Sequence, residues 1–456
     1  MLNFQNAIDR VIEMLEDDNI EAVKDLLNSY HSADLAEILT ELKPNQRLIC
    51  FQLIDEPKAA EILSYLNPQL QVEILGDIDE QLASRLIMQM PHDEVADVLG
   101  DMEENTSESY LNKLPEKLST QIRELLSYKE DTAGGIMNPR VITINKDMSV
   151  EDALFLIRTK AIDDNIELYY LYVTDKQKHL LGVVSLRGLL TSSLKTKLEE
   201  IMIRDIVKLH IDDPQDSVAD IFMKYQYNAL PVVDLYNRLK GIVTWDDVQE
   251  VVEEETTEEI YNSSGITTDL IDEDDILTGN TFNAIRARTP WLFITLIGEF
   301  FAVNIAKYFD HTISILPITA IFMPLLAGLG GNIGTQSITL IVRGLSTGQI
   351  NLNSAFYHIF RELRIGMTIG LCFGIIVSLT TIGWQHNIEL GLVVGLAMAI
   401  NMSIAALIGT ITPFCLKAIK IDPAVASGPV IATGIDVIGL AIYFSLVSIF
   451  LIKFHS

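Results

Sequence analysis

The sequence predicts a multidomain membrane protein: a cytosolic all-α superhelical solenoid, an α/β tandem pair, an acidic connecting helix and a five-helix transmembrane bundle. Three observations predict it. Charge is split along the chain: residues 1–275 hold 56 acids and 24 Lys/Arg, a net of −32, whereas residues 276–456 hold six acids and nine Lys/Arg, a net of +3. The first half carries two internal repeats of different period, and the second carries five long apolar runs. At 456 residues the chain is also too long for one compact core. The expected divisions are 1–133, 134–196, 197–252, 253–279 and 280–456.

The first division shows a repeat near twelve residues. AEIL (36–39), LICF (48–51), AEIL (60–63), VEIL (72–75), SRLI (84–87) and ADVL (96–99) fall in step. Each is a short amphipathic helix, and a pair makes a hairpin of about 24 residues, the pattern of an α-solenoid that buries its core by stacking neighbours. So acidic a surface argues against nucleic acid as partner, since phosphates recruit Lys and Arg. Cys50, Cys372 and Cys415 are scattered without ligand spacing, which fits a reducing cytosol. The opening MLNFQNAIDRVIEML has no basic region followed by an apolar one, so no cleaved signal peptide is expected.

The next two divisions are a duplication. IMNPRVITINKDMSVEDALFLI (136–157) and LYVTDKQKHLLGVVSLRGLL (171–190) are echoed by IMIRDIVKLHIDDPQDSVADIFM (201–223) and LPVVDLYNRLKGIVTWDDVQEVV (230–252). Each half reads strand, helix, strand, turn, strand, helix. This resembles a tandem pair of CBS domains. The resemblance implies adenine-nucleotide binding through a Gly-x-x-Ser/Thr-x-x-Asp element. The second copy keeps that element as Gly241, Thr244 and Asp247; the first has Gly182 and Ser185 but Gly188 in place of the acid. At most one good nucleotide site is therefore implied, with Arg187 facing its phosphates.

The connecting stretch EVVEEETTEEIYNSSG (250–265) is densely acidic. Glu250, Glu254 and Glu258 fall at i, i+4 and i+8, and Glu255 with Glu259 forms a second pair on the adjacent face. Like charges at that spacing destabilise a helix. A divalent cation shared with acids on the solenoid would relieve the repulsion; Asp93 and Asp97, one turn apart in HDEVADVL, and Glu61 are the candidates.

The apolar runs lie at about 290–309, 313–342, 365–384, 390–415 and 424–452, each long enough to cross a core of about 30 Å. With the acidic half in the cytosol, inner loops carry Arg286, Arg288, Arg343, Arg361, Arg364, Lys417 and Lys420, and outer ones only Lys307 and Lys453. That bias predicts an inner N-terminus and an outer C-terminus in a multi-pass plasma-membrane protein. Polar residues inside spans face a cavity or the bundle interior. Here they are Glu299, Asn332, Thr335, Gln336, Asn401, Ser403 and Asp436. Asn401 and Ser403 are expected to bond between helices, and Asp436 to ligate a cation. Gly328, Gly330, Gly331 and Gly334 serve either close helix packing or, as the sharper expectation, a helix break that frees carbonyls toward a cavity. Such all-oxygen surroundings suit Mg²⁺ with much of its water shell.

Taken as a whole, the chain resembles the MgtE family of magnesium channels and transporters. The resemblance rests on the Pro-x₅-Gly-Gly-Asn-x-Gly-x-Gln element from Pro324 to Gln336, and on Ala426, Ser427, Pro429, Asp436 and Gly439 near the C-terminus. It implies a homodimer with a Mg²⁺ pore between protomers. Asp436 would be the main pore carboxylate, assisted by the Ala432 carbonyl, with the Gly331-to-Gln336 region, Gly334 included, along the passage. It also implies that cytosolic Mg²⁺ bridges Asp93, Asp97, Asp247, Glu250, Glu255, Glu258 and Glu259 and holds the pore shut. One departure is Ser314, where some members carry an acid near the outer mouth.

A broader carrier for Co²⁺, Mn²⁺ or Zn²⁺ ranks lower, because the spans lack the His/Cys cluster that softer metals favour. A CBS-regulated anion channel is disfavoured by Asp436. An enzyme is not expected: no nucleophile–His–acid set is visible, and His311, His358 and His386 are read as loop residues. The chain also lacks a GxxxxGK[ST] phosphate loop.

Overall fold

A computed structural model describes residues 4–17, 19–163, 169–267, 276, 281–421, 423 and 428–454. Ala426 and Ser427, together with most of 268–280, lie outside the described residues. The chain forms two compact units, Met1–Glu253 and Glu254–Ser456.

The first unit opens with ten short helices, from Phe4–Glu16 to Glu116–Leu125. Alternate helices pack on one another, as the helix pairs His92–Asp101 with Glu116–Leu125 and Pro68–Asp77 with His92–Asp101 show. The repeated apolar tetrads supply the buried stripe: Leu39, Cys50, Ile62, Leu63, Leu75, Ile87 and Leu99 are almost fully buried. Two buried polar side chains make the period explicit. Arg47 bonds the carbonyls of Leu39 (2.9 Å) and Leu42 (3.0 Å). Gln71 bonds the carbonyls of Leu63 (2.8 Å) and Leu66 (2.9 Å). The offsets along the chain are the same, so one device, repeated 24 residues on, satisfies carbonyls left open where a helix ends.

The rest of this unit is two three-stranded sheets of matching topology. Strands β1 (Thr143–Asn145), β2 (Tyr170–Thr174) and β3 (Leu180–Ser185) form one; β4 (Leu209–His210), β5 (Ala229–Val233) and β6 (Leu239–Thr244) form the other. In each, the first pair is parallel and the second antiparallel. The last helix of the second copy and the acidic stretch are one continuous helix, Trp245–Ser263. The expected division at 252/253 therefore falls inside a helix, because nothing in DDVQEVVEEETTEE interrupts the backbone ladder. The helix stops at Gly265 (φ 77°), where the Ile266 N–H reaches the Tyr261 carbonyl at 2.9 Å and the Gly265 N–H reaches that of Asn262 at 3.1 Å, a glycine-dependent C-terminal cap.

Among the described residues of the second unit, five helices are long and apolar enough to cross a membrane: Thr281–Tyr308, Pro317–Ser346, Leu352–Gln385, Ile388–Ala418 and Gly428–Phe450. They are called the first to fifth membrane helices below. The second opens with a 3₁₀ turn, Pro317–Phe322, and continues as an α-helix, Met323–Ser346, without interruption. This corrects the expectation that its glycines break the helix. Within hydrocarbon a broken ladder leaves polar groups unsatisfied; these glycines instead give room. A Cβ on Gly330 would meet the Asn401 amide at 2.6 Å, and one on Gly334 would collide with Ile435. Glycines likewise line the packed faces of the third and fourth helices, where Gly370 and Gly374 approach backbone carbonyls of Ala399 and Gly395.

Four further placements differ from the sequence reading. Ser403 bonds the Ala399 carbonyl of its own helix at 2.7 Å rather than a neighbouring helix. His358 lies inside the third membrane helix and His311 inside the short helix Asp310–Ile315, not in loops. Glu362 also lies in the third membrane helix, 4% exposed, accepting from Ser337 Oγ at 3.3 Å.

The repeated cap makes a testable claim. Gln71→Leu keeps the size and removes the donor, leaving the Leu66 carbonyl without its Gln71 bond and the Leu63 carbonyl with the Leu66 N–H alone. A loss of about 1–3 kcal/mol is expected, read as hydrogen exchange at least about five-fold faster in residues 59–77 of the full chain; unchanged exchange would contradict it.

Candidate functional site

The second unit brings Asp436 and the Gly331 region together. Asp436 lies on the fifth helix, half-buried, and its Oδ1 is buried with no hydrogen-bond partner among the described residues. A Cβ on Gly331 would stand 3.4 Å from the Ala432 Cβ and 3.9 Å from Asp436 Oδ1. Gly331 is thus the thin wall opposite the carboxylate, and Ala432, one turn before Asp436, completes the contact. Asn332 and Gln336 are exposed, and Gly328 has open space before it, so one face of the second helix is polar and uncovered. Thr335 Oγ1 bonds the Gly331 carbonyl of its own helix at 3.0 Å, and Gly334 packs against Ile435. Glu299, on the first helix, is exposed and within electrostatic range of Asp436. The start of the fifth helix also meets the end of the acidic helix, with Gly428 facing the Ser263 carbonyl and Pro429 facing Gly265.

The first unit gathers a second set of carboxylates. Asp93, in the first turn of His92–Asp101, is 7% exposed and accepts from Asn138 Nδ2 at 3.1 Å. Burial, then the charges of Asp247 and Glu94, hold its carboxyl well above the usual carboxylate range. Desolvation pushes Glu94 up to about 7, helped by Glu250, Asp247 and Asp97 and opposed by a hydrogen bond from Ser64. Desolvation likewise pushes Asp97 up to about 7, with Asp101, Glu250, Glu130 and Asp247 adding to it. Asp97, Asp101, Tyr128, Glu130 and Gly135 line a cavity of about 190 Å³. Beside them, burial and the charge of Arg140 lower His92 to about 4, and its Nε2 accepts from Arg140 at 2.9 Å.

Of the acids singled out in sequence, Asp93, Asp97, Asp247 and Glu250 therefore act on one another. Glu61 does not join them; it accepts from Ser32 Oγ at 2.7 Å. Glu258 accepts from Asn262 at 3.3 Å, and Glu259 pairs with Arg343, at the end of the second membrane helix, at 3.4 Å. Glu255 lies one turn before Glu259 on the same helix. Sequence reading missed Glu94, Asp101 and Glu130. Asp101 was findable, since Asp93, Asp97 and Asp101 form the same i, i+4, i+8 row seen at Glu250, Glu254 and Glu258. Among the described residues no three acidic, imidazole or thiol groups converge closely enough to hold a bare metal ion. Acids set apart in this way suit an ion that keeps its water.

In the second CBS-like copy, Asp247 Oδ2 accepts from the Thr244 N–H (2.8 Å) and hydroxyl (2.6 Å), which fixes both at the start of the acidic helix. Gly241 is required by the backbone: a Cβ there would lie 2.6 Å from the Asn138 carbonyl. In the first copy, where the acid is missing, Ser185 Oγ accepts from the Gly188 N–H at 3.0 Å. Arg187 is exposed.

Three family models match the chain: a divalent cation transporter model, MgtE, over 323–446; the MgtE intracellular N domain over 30–131; and the CBS domain over 133–195 and 198–254. The magnesium transporter MgtE of Thermus thermophilus is 33% identical over 96% of this chain and 97% of its own length. The chain belongs to the MgtE family. The Enterococcus faecalis magnesium transporter MgtE is also 33% identical, over 73% of this chain and 72% of its own. A solved cytosolic domain of the Mg²⁺ channel MgtE in complex with ATP is 33% identical, with a TM-score of 0.51, covering 54% of this chain and 99% of that one.

The raised carboxylates give stability a definite pH dependence. An acid whose folded pKa exceeds its unfolded value stabilises below the unfolded value and loses that contribution as pH rises through the folded one. Without divalent ions, Asp97 therefore favours the fold at about pH 4 and disfavours it by about pH 7. His92 works oppositely, losing its contribution as pH falls toward about 4. The difference between wild type and Asp97→Asn isolates the first effect: in EDTA, the advantage of the variant in melting temperature should grow between pH 4 and 8. An equal difference at both pH values would contradict the placement of Asp97.

Proposed function

We propose that this chain is a Mg²⁺-selective channel for magnesium uptake, driven passively and closed by cytosolic Mg²⁺. The observation that carries the reading is the unpartnered Oδ1 of Asp436 opposite Gly331 in a span, within a family of divalent cation transporters. A buried carboxylate lacking a donor favours a cation, and an inward potential assists a divalent ion by about 4–5 kcal/mol per 100 mV. The Ala432 carbonyl, Gly331, Asn332, Gly334, Thr335 and Gln336 line the same passage. The uncovered polar face of the second helix supports a homodimer, in which the partner supplies the opposite wall. The basic residues support a plasma-membrane orientation with both soluble domains in the cytosol and the C-terminus outside.

Regulation rests on the acids of the first unit and the acidic helix. Hydrated Mg²⁺ held by Asp93, Asp97, Asp247 and Glu250, and by Glu255, Glu258 and Glu259 of the acidic helix, relieves their repulsion; its loss lets the helix move. The pairing of Glu259 with Arg343 gives that helix a handle on the second span. An adenine nucleotide binds the second CBS copy through Gly241, Thr244 and Asp247, with Arg187 at its phosphates. The family description names divalent cations broadly, which keeps a wider carrier as the second reading; the all-oxygen passage favours Mg²⁺ over softer ions.

Two outcomes test the pore and the lock separately. Asp436→Ala should abolish growth rescue of a Mg²⁺-starved, uptake-deficient strain, and full rescue would sink the pore assignment. Neutralising Asp93, Asp97 and Glu258 together should give currents that persist when internal Mg²⁺ is high; block at the wild-type concentration in patch recordings would refute the cytosolic lock.

A further inference from the structure

We infer that Asn401 is a positioning residue of the ion pathway: its amide, inserted between Gly330 and Gly439, sets the spacing of the second and fifth membrane helices where Gly331 faces Asp436. The inference rests on reading Asp436 as the pore carboxylate. Asn401 belongs to the fourth helix and is 2% exposed. An amide buried in hydrocarbon is costly unless bonded, and Nδ2 donates to the Leu326 carbonyl, in the first turn of the α-helical part of the second helix, at 2.8 Å.

Two helices make room for this one side chain. A Cβ on Gly330 would lie 2.6 Å from Asn401 Nδ2, and one on Gly439 would lie 2.9 Å from Asn401 Cγ and closer still to Oδ1. The flat amide is therefore a spacer touching the second helix on one side and the fifth on the other. Both contacts adjoin the pathway. Gly330 precedes Gly331, and Asp436 sits three residues before Gly439, on neighbouring faces of one helix. Shifting the amide shifts the two walls relative to each other. The Asn401 bond to Leu326 also fixes the height of the second helix, which a purely apolar side chain of similar size would not do.

The test is Mg²⁺ influx into proteoliposomes holding the full chain, normalised to reconstituted protein, for wild type, Asn401→Ala, Gly439→Ala, the double variant and Asp436→Asn. The two single variants at Asn401 and Gly439 should each raise the half-saturating Mg²⁺ concentration about 5- to 10-fold, the order of one net hydrogen bond. The double variant should lie closer to wild type than either single variant, because the new methyl fills the space the amide left while the Leu326 bond stays lost. Asn401→Leu, of similar size but lacking the donor, should shift like Asn401→Ala and serves where the latter fails to reconstitute. If the variants lower only the yield of folded protein while half-saturation stays unchanged, Asn401 is merely structural and the inference fails. If Asp436→Asn shifts half-saturation and the Asn401 variants do not, the inference fails alone; if Asp436→Asn changes nothing, the pathway reading fails and this inference with it.

Discussion

Negative charge held where water cannot fully solvate it is the constraint on which both units turn. In the membrane unit it is Asp436, whose Oδ1 is buried without a donor among the described residues. In the first unit it is a group of carboxylates in which desolvation and mutual repulsion hold Asp93, Glu94 and Asp97 above the ordinary carboxylate range. Isolated charge of this kind is unstable unless it is protonated or countered. In the function proposed, a divalent cation would counter it in both places, so that one ion would serve as cargo and as signal.

The membrane helices accommodate that charge without giving up backbone bonds. The second helix stays continuous, and its glycines let the fourth and fifth approach closely enough for Asn401 and Ile435 to enter. Elsewhere, several buried polar groups are tied to carbonyls or to each other: the Tyr443 hydroxyl to Thr319 at 2.8 Å, Lys417 to Leu345 at 3.1 Å, and Ser337 to Glu362. Trp291 Nε1, His358 Nδ1 and Asp436 Oδ1 are buried without a partner among the described residues, and of these three Asp436 is the carboxylate.

The coarse fold was legible because its signals are long and repeated. Twelve-residue spacing gave the solenoid, the duplicated strand–helix pattern gave the paired sheets, and five apolar runs gave the spans. Details that depend on tertiary partners were not. Gly330 and Gly334 read more sharply as a helix break than as close packing, and only the position of Asn401 and Ile435 decides for packing. Asn401 and Ser403 lie two residues apart with similar chemistry, yet one crosses to Leu326 and the other bonds its own helix. Glu362 was left outside the third span because arginines flank it, and its burial comes from neighbouring helices. Glu130 reaches the cavity beside Asp97 from a separate turn, a closeness that no local spacing encodes. The acidic helix was visible as charge, but its fusion with the last CBS-like helix needed the absence of any stop signal to be weighed against a domain boundary.

The most direct measurement of the central claim is Mg²⁺ influx into sealed vesicles of uniform orientation under an imposed inward potential, with Mg²⁺ on the side of the soluble domains varied. The account predicts fast influx, without any energy source beyond the potential, when that side is free of Mg²⁺, and steep closure as millimolar Mg²⁺ accumulates there. Influx that ignores Mg²⁺ on that side, or that requires a coupled ion or nucleotide hydrolysis, would contradict it.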